Sequence, residues 1–129
     1  MRPINRYLSN KIQVSDIKAT DKTIKQIVKG ELDRLGHDAD LNHIDVSEIT
    51  SMYSVFSCFD YDLGPKYNDL NPDITRWNVS NVQNMNYMFY ECKSFNQDLS
   101  KWDVSNVKYI DFIFKDCPIK EEFKPKFKI

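Results

Sequence analysis

"FNQDLSKWDVSNV", residues 95–107, decides the reading of the fold, because a near copy, "NPDITRWNVSNV", stands at residues 71–82. Set against each other, Trp77 meets Trp102, Val79 meets Val104, Val82 meets Val107, Met85 meets Ile110, Met88 meets Ile113, Phe89 meets Phe114 and Cys92 meets Cys117, each pair 25 residues apart. An earlier copy lies 33 residues upstream of the second, pairing Leu41 with Ile74, Ile44 with Trp77, Val46 with Val79, Ile49 with Val82, Met52 with Met85, Val55 with Met88 and Phe56 with Phe89. The surplus residues form an insertion, which the Gly64-Pro65 turn signal places in "FDYDLGPKYNDLNP" (59–72).

A repeat of this length with closely spaced apolar positions marks a leucine-rich repeat, in which each turn buries its apolar face only by stacking on the next. The expected fold is therefore α/β: a short leucine-rich-repeat solenoid of three ~25-residue repeats with an N-terminal capping helix. Very short strands are expected near 40–42, 73–75 and 98–100. The apolar residues at i, i+3, i+6 and i+7 predict helices near 48–56, 81–89 and 106–114, with Ser47, Ser80 and Ser105 as N-caps.

Ahead of the repeats, Ile24, Ile27, Val28, Leu32 and Leu35 make an amphipathic stripe near 22–35, with Thr20 or Asp21 as cap and Gly36 as stop. One domain, 1–129, follows from the length. It divides into an N-terminal cap (1–36), repeat 1 with its insertion (37–72), repeat 2 (73–97), repeat 3 (98–117) and a C-terminal cap (118–129). Residues 1–19 match nothing in this scheme.

A net charge of −1 gives no global pull toward nucleic acid, and no apolar run is long enough to span a bilayer. The N-terminus, "MRPINRYLSNKIQVSDIKAT", has no apolar core of a secretory signal, which favours a cytoplasmic or virus-associated location over a surface one. Three widely spaced cysteines, Cys58, Cys92 and Cys117, read as reduced thiols rather than as a disulfide framework or metal site.

The strings "FNQDLSKWDVSNV" and "MNYMFYECKSF", together with "ADLNHIDVSEITSMYSVF" and its preceding helix, resemble the BspA-like leucine-rich-repeat family of bacterial surface proteins over roughly residues 22–117. That resemblance implies a binding or adhesion module without enzymatic activity. The insertion at 59–72 and the offset of Cys58 from Cys92 and Cys117 depart from the family pattern.

Sites of chemistry each have a plainer reading. Asp40, Asp73 and Asp98 recur in register and could hold a cation, but each stands alone in its turn, so a structural role outweighs a metal one. The apolar Ile44 in register with Trp77 and Trp102 favours core over a sugar-binding ladder. Cys92 and Cys117 lack a nearby His and read as packing, and His37 and His43 lack a metal-ligand register. No paired carboxylates, nucleophile triad, phosphate loop or cofactor motif is found, so no enzyme and no cofactor are expected.

The expected function is a non-enzymatic protein-interaction module, monomeric or weakly self-associating, whose partner is a protein. The binding residues expected are Tyr61 and Tyr67 of the insertion and the strand-face residues Asn42, Thr75, Ser100, Arg76 and Lys101. The alternative is a structural or accessory protein of a phage or mobile element.

Overall fold

A computed structural model describes residues 16–129. The part of the N-terminal-cap reading that falls on residues 1–15 lies outside the described residues. The order of elements is β1 (Ile17–Lys18), α1 (Ile24–Leu35) and β2 (Ile44–Asp45), followed by 3-10 turns at Pro65–Tyr67 and Glu121–Phe123. β1 and β2 pair in parallel, Ile17 opposite Ile44 and Lys18 opposite Asp45.

These elements correct the expected fold. Among the described residues there is one α-helix and one two-stranded sheet, and the molecule is a small mixed domain with little regular secondary structure, not an α/β leucine-rich-repeat solenoid of three repeats. Of the three strands expected, 40–42 and 73–75 contribute a single bridge, Asp40 to Asp73, and 98–100 is not a strand.

The helices expected at 48–56, 81–89 and 106–114 are runs of turns, and the hydrogen bonds give the reason. Alternate amides point sideways: Met52, Ser54, Phe56 and Cys58 donate to the carbonyls of Asn84, Asn86, Met88 and Tyr90. Met85, Tyr87, Phe89 and Glu91 donate in the same way to Tyr109, Asp111, Ile113 and Lys115. Amides between them close short turns, as Val55 to Met52 and Cys92 to Phe89. An amide committed to a neighbouring segment cannot donate to the carbonyl four residues back, so no helix propagates. Apolar residues at 49, 52 and 55, at 82, 85 and 88, and at 107, 110 and 113 fit this three-residue rhythm as well as they fit one helix face.

The serines expected as N-caps serve a different turn. Ser47, Ser80 and Ser105 donate their backbone N–H to the side chains of Asp45, Asn78 and Asp103. Each is an Asx turn, in which a side-chain oxygen replaces a backbone acceptor two residues earlier. Asp40, Asp73 and Asp98 make the same turn with the amides of Asn42, Thr75 and Ser100. The D-x-[STN] and [DN]-V-S strings of the sequence echo are thus turn chemistry.

α1 follows its apolar stripe. Ile24, Val28 and Leu32 are buried, Ile27 is partly so, and Gly36 closes the helix at φ 104 with its N–H on the Leu32 carbonyl. That φ suits glycine, which carries no Cβ to clash. Leu35 is exposed, and the N-cap is Thr23 without a side-chain cap bond, not Thr20 or Asp21. Asp21 instead reaches the backbone N–H and hydroxyl of Thr50, at 2.8 and 2.6 Å, tying the helix entrance to the first run of turns.

The core is aromatic along its length. Phe56 and Phe89 stack with ring centroids 5.5 Å apart, and Phe89 stacks in turn on Phe95 and Phe114 at 4.3 and 5.5 Å. Trp77 and Trp102 are buried, and their indole N–H groups donate to the carbonyls of Leu41 and Ile74. Buried indoles need such a partner.

Candidate interaction surface

Most apolar side chains of the echo face inward, but a second set of rings does not. Tyr53, Phe59, Tyr61, Tyr109 and Phe112 are exposed, and Tyr61 is 93% exposed. Four of them form a continuous row with the half-buried Tyr87 and Tyr90: Tyr61 to Phe59, Phe59 to Tyr90, Tyr90 to Tyr87, and Tyr87 to both Tyr53 and Phe112, all with centroids within 6.3 Å. Tyr53, Ser54, Phe59, Asp62, Tyr87 and Tyr90 line a cleft of about 340 Å³.

Backbone geometry aims part of this face. Ser54, Tyr87 and Phe112 occupy matched positions of the echo and all have left-handed φ, between 55° and 62°. Glu91 and Asp116, also matched, have φ of 60° and 59°. A bulky aromatic at positive φ is an outlier, costing on the order of 1–3 kcal/mol. At Tyr87 and Phe112 the fold carries that strain and sets a ring at the surface.

The expected binding residues divide. Tyr61 is exposed and belongs to the aromatic face. Tyr67 is not a free anchor: it is 2% exposed, its hydroxyl donates to Asp33 at 2.6 Å, and it stacks on His37 at 4.8 Å. Its hydroxyl bond pins the insertion to α1, and Leu70 is buried as well, so the insertion is only partly polar surface.

The strand-face residues lie on another surface, where much of their polarity is used internally. The Asn42 side-chain oxygen accepts from the Arg76 backbone N–H, and the Thr75 hydroxyl donates to Asp73. Asn42 and Arg76 meet at one groove, which Asp16, Arg34, Leu35, Asp40 and His43 also line. Ser100 is half-buried on its own Asx turn, and Lys101 is exposed.

The remaining candidates have partners within the chain. His37 bonds Asp69 and His43 bonds Glu31, each at 2.6 Å, so the two histidines serve separate partners. Glu31 is also gripped by Arg34, whose guanidinium holds its carboxyl below the usual range, with His43 adding to the effect. The thiols of Cys58 and Cys92 lie 4.0 Å apart in the core. Burial pushes Cys92 far up and Cys117 up to about 11, away from the thiolate form that reactivity needs.

The aromatic face, missed in the sequence, had a signal there: Tyr87 and Phe112 are matched across 25 residues at a position beside the buried ladder. What could not be read was which way the backbone would turn them.

The molecule is thus a small mixed domain, tied together by turns and lateral hydrogen bonds, with an exposed aromatic row. It belongs to the family described as "Mycoplasma protein of unknown function, DUF285", whose model matches residues 26–124. No curated protein and no solved structure matches it. No helix among the described residues is long and apolar enough to cross a membrane.

Proposed function

We propose that this chain is a non-enzymatic protein-interaction module, of the kind its resemblance to BspA-like bacterial surface proteins implies. One observation carries the reading: a contiguous row of exposed and half-exposed rings, Tyr61, Phe59, Tyr90, Tyr87, Tyr53 and Phe112, on a domain that buries Phe56, Phe89, Phe95, Trp77 and Trp102 in its core. Tyrosine supplies large contact area at small entropic cost, and exposed apolar patches of this kind mark binding sites. Tyr61 is the most exposed ring of that contact; Arg76 and Lys101, with Asn42, Thr75 and Ser100, form a second, polar contact region.

The test is site-specific photo-crosslinking in the native cell. A photo-reactive residue at position 61 should trap a partner protein that the same residue at position 106, away from the aromatic row, does not. Trapping from both positions alike, or from neither, contradicts the reading.

A further inference from the structure

The middle of the aromatic row has the shape and charge of a receptor for a cation. Tyr87 and Tyr90 meet at 80° with centroids 5.3 Å apart, and Tyr53 meets Tyr87 at 60°. Rings at such angles form walls, as in the cages that hold cations over several ring faces, rather than a flat stack.

The two rings that branch from Tyr87 already take a cation from the chain itself. Lys25 Nζ stands 5.6 Å from the Tyr53 centroid, and Lys115 Nζ 5.9 Å from that of Phe112. Among the described residues no Lys or Arg is placed over Phe59, Tyr61, Tyr87 or Tyr90.

Carboxylates flank these vacant faces. Asp62 lines the cleft, and Glu91 and Asp116 lie close enough to Tyr90 to raise its hydroxyl pKa, after the larger effect of lost solvent. None of the ion pairs among the described residues uses Asp62, Glu91 or Asp116. Three carboxylates outside the ion pairs of the described residues, beside ring faces over which those residues place no cation, are complementary to one positive group, although Lys25 and Lys29 line a neighbouring pocket with Asp62. A guanidinium fits best, because its plane stacks on aromatic faces while its fork of N–H groups meets carboxylates. The cleft, at about 340 Å³, is of side-chain ligand size.

We infer that the cleft between Tyr53, Phe59, Tyr87 and Tyr90 receives an arginine side chain from an extended segment of a partner protein, with Asp62, Glu91 and Asp116 as its counter-charges. This rests on the interaction reading above and names the chemistry of the partner at the same face.

The probe is a labelled peptide in which three arginines alternate with serines, titrated into the full chain at physiological salt by fluorescence anisotropy. Matched peptides carry lysine or citrulline in place of arginine. Saturable one-to-one binding of the arginine peptide is expected, several-fold weaker with lysine and at least tenfold weaker with citrulline. Tyr87→Gly, a change that also relieves the left-handed backbone, should weaken binding at least tenfold with the melting temperature retained. Glu91→Gln with Asp116→Asn should weaken it at least fivefold.

Equal binding of arginine and lysine peptides, undiminished binding by either variant, or no binding to the parent chain overturns the inference. If the parent chain ignores the arginine peptide while position 61 still traps a partner, the interaction module stands and the cationic ligand falls. If both fail, both readings fall.

Discussion

Phe89 and Tyr87 are two residues apart, as are Phe114 and Phe112, yet the members of each pair have opposite fates. Phe89 is fully buried and stacked between Phe56 and Phe114, with Phe95 against it; Tyr87 and Phe112 sit outside with left-handed backbones. The same ring chemistry therefore does two jobs, and the backbone decides which. Tyr87 and Phe89 both donate their amides sideways, but at Phe89 no left-handed φ turns the ring away and it enters the core. Where the φ is positive, the ring stands beside Tyr53 and Tyr90. Inner rings pack the fold, and outer rings form the surface on which the proposed contact rests.

Phe89→Ala strikes the inner set hardest. Removing a ring with no exposure and three stacked aromatic neighbours should cost about 3–5 kcal/mol, read as a lower urea midpoint with the slope unchanged. A midpoint equal to the parent's would mean that the inner rings do not carry the fold. Trp77→Phe keeps an aromatic ring but removes the pyrrole part of the indole, with the N–H that meets the Leu41 carbonyl at 2.9 Å. The expected loss is about 1–3 kcal/mol, from the lost buried hydrogen bond and the space the smaller ring leaves, the Leu41 carbonyl keeping the Ile44 N–H; no loss would contradict the indole's place in the core.

The extent to which this division was legible differs by level. The burial of Trp77, Trp102, Val79, Val82, Met85 and Phe89 could be read from their recurrence at fixed offsets, since side chains that recur in register are those that must pack. Regular structure could not, because a spacing of three residues serves a helix face and a run of short turns alike. The deciding facts, sideways amides and left-handed φ at Ser54, Tyr87 and Phe112, belong to the backbone and leave no composition behind: none of the three is Gly or Asn. Tyr67 misled for another reason. Its neighbours Lys66, Asn68 and Asp69 are polar, and its burial depends on Asp33 and His37, distant in the chain.

A smaller effect separates the turns from both aromatic sets. The N–H of Thr75 holds the Asp73 carboxyl below its ordinary value, and the Thr75 hydroxyl adds to this. Because the folded group titrates below the unfolded value near 3.9, the stability it supplies is complete above that pH and is lost as the pH falls through the lower folded value. Asp73→Asn should therefore lower the melting temperature at pH 7 by the equivalent of about 1 kcal/mol and leave a smaller difference from the parent under acid conditions. A difference that grows on acidification would contradict the assigned turn.

Tyr87→Gly should have the smallest effect on stability. The glycine gains about 1 kcal/mol from its freedom at positive φ and loses the ring's partial packing, so the melting temperature should move by only a few degrees. A collapse comparable to that of Phe89→Ala would place Tyr87 with the inner set.

The division itself is tested most directly by a single amide-resolved NMR titration of the full chain with the arginine peptide. The account predicts saturable shifts concentrated at Tyr53, Phe59, Tyr87, Tyr90 and Glu91, with the amides around Leu41, Trp77 and Arg76 unmoved. Shifts confined to the groove of Arg34, Asn42 and Arg76, or spread evenly through the core amides, would contradict it.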